Sequence, residues 1–155
     1  MTLLRHTRFQ GAIVDDGRVL LIRHQEHASG RSYWLFPGGG IEPDESDVEC
    51  VTREMREETG LEVRVDGLIF DEPYAQPGVY LRRRLYLCTP LAGEAAPGYE
   101  PEPDAAAHYG IVEVGWFPID DPAGWGPAGD DAYTAPELKL LRAFMAERRR
   151  AMDAG

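Results

Sequence analysis

Residues 37–61 read Pro-Gly-Gly-Gly-Ile-Glu-Pro-Asp-Glu-Ser-Asp-Val-Glu-Cys-Val-Thr-Arg-Glu-Met-Arg-Glu-Glu-Thr-Gly-Leu. The stretch combines a glycine-rich loop with an acidic segment of helical periodicity. Ser46 and Glu49 have the spacing of a capping box, so we expect a helix to begin after Ser46. Gly60 tolerates a positive φ and is expected to end that helix.

The predicted helix gathers negative charge on one face, because at 3.6 residues per turn Glu54, Glu57 and Glu58 fall within an arc of roughly 100°. The adjacent face is apolar and is expected to pack through Val48, Val51 and Met55. Like charges three and four residues apart on a helix cost a few tenths of a kcal/mol per pair. A bound divalent cation explains the cluster, since Mg²⁺ and Mn²⁺ prefer oxygen ligands. A solvated Glu-rich helix face is the alternative that the glutamates alone leave open.

The spacing of the fixed residues is more specific than their charge. Gly39 is followed after five residues by Glu45, and after seven more by Arg-Glu-Met-x-Glu-Glu-x-Gly-Leu over residues 53–61. These residues fill every fixed position of the Nudix box, so the chain resembles the Nudix hydrolases. The match covers about a seventh of the chain.

The resemblance implies roles for the residues of the box. Mg²⁺ or Mn²⁺ would be held by Glu54, Glu57 and Glu58, often together with the carbonyl oxygen of Gly38. In the family the general base is a glutamate of the box in some members and a loop residue in others, and Glu57 or Glu58 is the base that we expect here. Arg53 is expected to pair with Glu45 and to orient the catalytic glutamates rather than to react itself.

Composition predicts one domain over residues 1–155, with 43% apolar residues available for a core. A net charge of −11 disfavours nucleic acids and anionic membranes as partners. The first eight residues lack a long apolar run, so we expect neither a signal peptide nor a membrane span, and a cytoplasmic location by default. Cys50 and Cys88 are expected to be reduced thiols. The sequence leaves the question of a homodimer open.

Apolar periodicity predicts strands over residues 9–14, 19–22, 62–71, 79–87 and 111–119 and a closing helix over residues 137–152. Asp15-Asp16-Gly17 is a hairpin turn signal between the first two strands. Together these elements predict an α/β/α sandwich with a mixed β-sheet, which the resemblance also implies. Residues 93–108 and 120–136 are expected to be loops. The first is predicted to be mobile, with Glu100, Glu102, Asp104 and His108 as candidate bases or ligands.

Substrate contacts are expected from charged residues on the strands: Arg23, Arg82, Arg84 and Glu113. Arg23 lies near the place of a family residue that often meets phosphates, although an exposed arginine at a strand end is an equal alternative. The arginines of residues 82–84 would offset phosphate charge, with one or two of them solvated instead. Trp125 and Tyr133 would stack a base or pin a loop.

The resemblance implies hydrolysis of a diphosphate linkage in a nucleoside diphosphate joined to another group. ADP-ribose or a nucleoside diphosphate sugar ranks first, because Pro77 follows Leu61 by sixteen residues, as in ADP-ribose pyrophosphatases. A simple turn at Pro77-Gly78 is the alternative explanation. Nucleoside triphosphates, including oxidised ones, rank second. A catalytically silent nucleotide-sensing domain is disfavoured because the box is intact.

Overall fold

The computed structural model describes residues 5–74, 80–99 and 106–154. Within these ranges the chain forms seven strands and two α-helices. The strands are β1 (Arg5–Asp15), β2 (Arg18–Glu26), β3 (Ser32–Leu35), β4 (Gly38–Gly39), β5 (Glu62–Pro73), β6 (Tyr80–Ala92) and β7 (Tyr109–Pro118). The helices are α1 (Asp47–Thr59) and α2 (Thr134–Asp153), and short 3-10 turns occupy Pro122–Asp130. No helix in the described part of the chain is long and apolar enough to cross a membrane.

The strands form a mixed sheet in the order β3-β2-β1-β6-β5, with β4 paired to β1 and β7 paired to β2. The central pair, β1 and β6, is parallel and runs from Arg5 beside Tyr80 to Ile13 beside Cys88. The other pairs are antiparallel. The predicted mixed sheet is therefore confirmed.

The hairpin between β1 and β2 is also confirmed. Its central residues, Asp16 and Gly17, have φ of 51° and 72°, the sign that a tight two-residue hairpin turn requires. The strands pair next to this turn, where Val14 faces Val19. Beyond it β1 pairs with β4 and β6, while β2 pairs with β3 and β7. The sheet thus divides into two halves joined at the hairpin.

Side-chain alternation along the strands produces two cores, one on each face of the sheet. Neighbours such as Ala12 and Ile13, or Leu20 and Leu21, belong to different cores. The core on the α1 side contains Phe9, Ile13, Leu20, Cys50, Val51, Met55, Leu61, Val63, Tyr86 and Cys88. The core on the α2 side contains Ala12, Val19, Leu21, Phe36, Phe70, Leu85, Ile119, Trp125, Ala128, Leu138 and Leu141. Since α1 and α2 pack on opposite faces, the predicted α/β/α sandwich is confirmed.

Two expectations about local structure were wrong. Val48 was expected to pack, yet it is 51% exposed, because the inward stripe of α1 is centred on Val51 and Glu58 and Val48 falls near its margin in the first turn. Residues 120–136 are not simply a loop, since they contain the 3-10 turns and the start of α2. Trp125 is buried there and donates from Nε1 to the carbonyl oxygen of Pro118 at 2.7 Å, so it pins this segment rather than stacking on a ligand.

Candidate metal and catalytic site

The beginning and the end of α1 lie where the sequence places them. Ser46 Oγ accepts a hydrogen bond from the Glu49 N–H at 3.1 Å, and Glu49 Oε1 accepts one from the Ser46 N–H at 3.0 Å. Gly60 follows the helix with a φ of 77° and donates from N to the carbonyl oxygen of Arg56 at 3.1 Å. The capping box and the glycine end are thus both confirmed, and they set the register in which the glutamates of α1 project.

Two of those glutamates are buried against β4 (Gly38–Gly39), which we call the glycine strand. Glu54 is 1% exposed and Glu58 is 0% exposed. Glu58 Oε1 accepts a hydrogen bond from the Gly38 N–H at 2.7 Å. A Cβ atom at Gly39 would lie 2.5 Å from Glu54 Oε1, so any larger residue would displace that carboxylate. Because β4 pairs with β1, the sheet itself holds the glycines against the helix.

Arg53 connects the loop to the helix. Its Nε and Nη2 bond both carboxylate oxygens of Glu45, at 2.7 and 2.9 Å, which is the pairing that the resemblance implied. Its Nη1 donates to Glu54 Oε1 at 3.0 Å and to Glu57 Oε2 at 3.1 Å, and its Nη2 reaches the carbonyl oxygen of Gly40 at 3.1 Å. These hydrogen bonds hold the pKa of Glu45 below its ordinary value.

The donor chemistry of this site fits a hard divalent cation. Four carboxylates share the guanidinium of Arg53, so this group of contacts is formally negative; they belong to Glu42, Glu45, Glu54 and Glu57. In the ranges that the structure describes, no group of three or more His, Cys, Asp or Glu side chains is arranged so that it could hold a metal ion by itself. The Arg53 guanidinium lies between the carboxylates of Glu54 and Glu57. It supplies positive charge at a place where these two negative groups would favour a bound cation. Carboxylate oxygens beside backbone oxygens are the ligands that Mg²⁺ and Mn²⁺ prefer.

The thiol on α1 is not part of this donor set. Cys50 is free, fully buried in the core beside α1, and its Sγ lies 3.9 Å from Arg53 Nη2. Burial raises the pKa of this thiol, so the neutral form is favoured. Cys88 is likewise free and buried, as the sequence led us to expect.

Two predicted substrate residues contact each other. Arg23 and Glu113 are cross-strand neighbours on β2 and β7, and Arg23 Nε lies 2.8 Å from Glu113 Oε2. Arg23 also donates to the hydroxyl of Ser32 at 3.1 Å. Both charged side chains keep access to solvent, and their part in substrate binding stays a prediction.

The other two predicted substrate residues form ion pairs with aspartates. Arg82 Nη2 lies 3.0 Å from Asp71 Oδ1, and Arg84 Nε lies 3.2 Å from Asp71 Oδ2. Arg84 Nη1 also reaches Asp47, in the first turn of α1, at 2.9 Å. Arg84 is one strand away from the glycines, because Phe9 of β1 faces Gly39 on one side and Arg84 on the other. A phosphate group at these arginines would therefore compete with the aspartates.

The sequence did not reveal a segment that braces the far end of α1. We call residues 94–99 the C-terminal brace, because they lie against the C-terminal end of α1. Its backbone N–H groups donate to the last carbonyl oxygens of the helix: Ala96 to Thr59 at 2.9 Å, Gly98 to Glu58 at 2.9 Å and Tyr99 to Glu57 at 3.1 Å. The prediction of a mobile loop was therefore wrong for these residues. In the sequence, Gly98 is the residue that could have indicated this contact, because an isolated glycine often marks a position where two backbone segments approach closely.

Several predicted candidates lie elsewhere. Glu100, Glu102 and Asp104 lie outside the described residues, as does Pro77, on which the substrate ranking rested. His108 is exposed, and its carbonyl oxygen accepts from the His27 N–H at 2.8 Å.

A buried polar network behind the glycine strand was also not foreseen. Glu137 of α2 is 3% exposed and accepts hydrogen bonds from Arg83 Nη1 at 2.9 Å and from Gln10 Nε2 at 3.3 Å. Arg8 donates to the Gln10 amide and to the carbonyl oxygen of Phe36 at 3.0 Å. Since Gln10 faces Gly38 across the β1–β4 pair, this network fixes the strand that carries the glycines.

Sequence comparisons relate this chain to known proteins. A family model described as "NUDIX domain" matches residues 5–138. The NAD-capped RNA hydrolase NudC of Vibrio vulnificus (strain CMCP6) is 31% identical over 130 residues, which cover 84% of this chain and 45% of that protein. The ADP-ribose pyrophosphatase of Methanocaldococcus jannaschii is 30% identical over 90 residues, 57% of this chain and 53% of that protein. The CTP pyrophosphohydrolase of Escherichia coli (strain K12) is 42% identical over 55 residues, 35% of this chain and 41% of that protein. The chain thus spans about half the length of these curated relatives.

Proposed function

Because the chain belongs to the NUDIX family, we propose that it is a metal-dependent hydrolase of the diphosphate linkage in a nucleoside diphosphate joined to another group. The observation that carries the proposal is the burial of Glu54 and Glu58 against the glycine strand, with Arg53 bonded to Glu54 and Glu57. Burying carboxylates is unfavourable unless a compensating charge or a function accounts for it.

Each residue of the site has a distinct role in this proposal. Glu54, Glu57 and Glu58 hold Mg²⁺ or Mn²⁺, together with the carbonyl oxygen of Gly38. When bound, the ion supplies charge neutralisation at the phosphates and acidifies an attacking water. Arg53 keeps the glutamates in position through its bonds to Glu54 and Glu57.

The proton of the attacking water goes to Glu57 or Glu58. The side chain of Glu57 is 17% exposed, so water can reach it directly. Glu58 is fully buried and is oriented by the Gly38 N–H. A carboxylate in either position lies on the same helix face as the other proposed ligands, which is the arrangement that general base catalysis needs.

ADP-ribose or a nucleoside diphosphate sugar is the substrate that we rank first. Relatives named for NAD-capped RNA and for ADP-ribose match 84% and 57% of the chain, whereas the relative named for CTP matches 35%. Matches that extend far beyond the box include more of the residues that could select a substrate. With a net charge of −11, we favour a small free nucleotide over a capped RNA. Arg23, Arg82, Arg84 and Glu113 are the proposed substrate contacts.

A substrate panel tests this proposal. ADP-ribose, UDP-glucose, NAD, NAD-capped RNA, CTP and an oxidised guanosine triphosphate are compared at equal Mg²⁺ and at equal Mn²⁺. We expect kcat/KM for ADP-ribose or UDP-glucose to exceed that for either triphosphate by about tenfold or more, which corresponds to about 1.4 kcal/mol. Excess EDTA should abolish turnover and added metal should restore it.

The other outcomes of the panel are equally informative. A preference for CTP or for the oxidised triphosphate would overturn the substrate ranking and favour the second candidate. Absence of turnover with every compound and both metals, combined with measurable binding of ADP-ribose, would instead support a nucleotide-sensing domain.

A further inference from the structure

The far end of α1 depends on a segment that is distant in the sequence. The last carbonyl groups of an α-helix have no partner within the helix and need one from elsewhere. In α1 the partners of Glu57, Glu58 and Thr59 are the N–H groups of the C-terminal brace. About 40 residues of sequence separate the helix end from this brace, so the contact is tertiary rather than local.

The contact between the brace and the helix is so close that it requires a glycine. A Cβ atom at Gly98 would lie 2.8 Å from the carbonyl carbons of both Glu57 and Glu58, and nearer still to the carbonyl oxygen of Glu57. These atoms are backbone, which cannot rotate away as the tip of a flexible side chain can. Any side chain at position 98 must therefore push the brace and the helix end apart.

The residues that receive these backbone bonds also carry the proposed catalytic carboxylates. Glu58 accepts from the Gly98 N–H through its carbonyl oxygen and from the Gly38 N–H through its carboxylate. Glu57 accepts from the Tyr99 N–H through its carbonyl oxygen and from Arg53 through its carboxylate. A shift of this backbone is therefore transmitted directly to both carboxylates, and catalytic groups must be held to within about 0.5 Å.

We propose that Gly98 is a positioning residue, which sets the place of the Glu57 and Glu58 carboxylates by letting the C-terminal brace lie directly against the end of α1. This inference rests on the proposed function, since it assigns a task to the glutamates of the same site. Gly98 itself does not touch the substrate in this proposal, and its effect passes through the helix backbone.

The test compares three alanine variants. Gly98→Ala introduces a methyl group against Glu57 and Glu58. Gly93→Ala introduces one against the carbonyl oxygen of Gly60, 2.5 Å away, at a residue whose φ is 95°. It therefore strains the neighbouring junction without pressing on the glutamates. Gly67→Ala is the control, because a Cβ atom there has nothing within 4 Å.

Two readouts are measured on the folded chain of 155 residues. The first is the Kd for Mn²⁺ alone, followed by electron paramagnetic resonance of the free ion, and the second is kcat and KM for ADP-ribose. For Gly98→Ala we expect weaker Mn²⁺ binding and a fall in kcat, each of about tenfold or more, with little change in KM. Gly93→Ala should lower the melting temperature with a smaller effect on both readouts, and Gly67→Ala should resemble the wild type.

The possible results distinguish a failure of the role proposed for Gly98 from a failure of the proposed function. A folded Gly98→Ala variant with the kcat and Mn²⁺ affinity of an active wild type would overturn the role of Gly98. If Gly98→Ala fails to fold, amide hydrogen exchange at residues 98 and 99 of the wild type replaces it. Rapid exchange of those amide protons would contradict the hydrogen bonds between the brace and the end of α1. A wild type that binds Mn²⁺ but hydrolyses nothing would overturn the proposed function, while the Mn²⁺ titration would still test Gly98.

Discussion

Glu54 and Glu58 are charged residues placed where a protein usually puts apolar ones. Both are almost completely buried, between α1 and the glycine strand. Removing a carboxylate from water costs several kcal/mol, and the Gly38 N–H and the Arg53 guanidinium offset part of that cost. We therefore expect replacement of a buried site carboxylate by a neutral side chain to leave the fold at least as stable.

Glu58→Gln is the residue-scale test of this trade-off. Glutamine keeps an oxygen that can accept the Gly38 N–H but loses the charge. We expect kcat to fall by orders of magnitude and Mn²⁺ binding to weaken, while the melting temperature stays at or above that of the wild type. Glu62→Gln, which removes an exposed carboxylate paired with Arg56, is the control and should leave kcat unchanged. Wild-type turnover by Glu58→Gln would remove Glu58 from the site.

The helix α1 is held at its two ends by different kinds of contact. At the beginning, Ser46 and Glu49 satisfy each other's backbone N–H groups within four residues of sequence. At the end, the C-terminal brace supplies the donors. Local contacts of the first kind are encoded in a short sequence pattern, whereas the second kind depends on how the whole sheet folds.

Ser46→Ala tests the contacts at the beginning of α1, which are local in sequence. Loss of the N-cap should lower the free energy of unfolding by about 1 kcal/mol, with little change in kcat per folded molecule. Urea unfolding of the wild type, Ser46→Ala, Glu49→Ala and the double variant measures this effect. Because the two residues act as a unit, the double variant should be destabilised by less than the sum of the single changes. If the losses in free energy of unfolding were strictly additive, Ser46 and Glu49 would not act together as a capping box.

This difference explains which parts of the site were predictable. The box residues, the caps of α1 and the Arg53–Glu45 pair followed from short-range patterns and from the family resemblance. The brace through Gly98 did not, because its partner is about 40 residues away and its own sequence resembles a loop. The carboxylate partners of Arg82 and Arg84 were missed for a similar reason, since strand register decides which aspartates they meet.

At the scale of the whole molecule, the strand order and both cores could be anticipated only in outline. Apolar periodicity located the strands, but the sequence does not specify that β1 lies beside β6 in parallel. That pairing brings Arg83 to Glu137 and builds the buried network behind the glycine strand. In the other half of the sheet His24 lies on β2 between β3 and β7, where it is 8% exposed and its ring lies 6.2 Å from that of Tyr33.

We expect His24 to make the stability of the whole molecule depend on pH. Burial, and secondarily the charge of Arg8, lowers its pKa to about 4, below the value of about 6.5 that it has when unfolded. The stabilisation is therefore complete above about pH 6.5 and is lost as the pH falls through the folded pKa, because the unfolded chain binds the proton first. We expect His24→Gln to flatten the decline in the free energy of unfolding between about pH 7 and about pH 5.

Urea unfolding at the two pH values measures this slope. His6→Gln, at an exposed position, is the control and should keep the slope of the wild type. If His24→Gln has the same slope as the wild type, other groups are responsible for the acid sensitivity.

In the role that we propose for it, the C-terminal brace also sets the earliest point in synthesis at which the site can form. The box is complete once residue 61 has been added, but the donors to Glu57, Glu58 and Thr59 lie on residues 96–99. At about 5–20 residues per second, translation of the intervening stretch takes about 2–8 s. During that interval the nascent polypeptide contains the full motif with an open helix end. The ribosome must therefore reach Tyr99 before the glutamates can take their final positions.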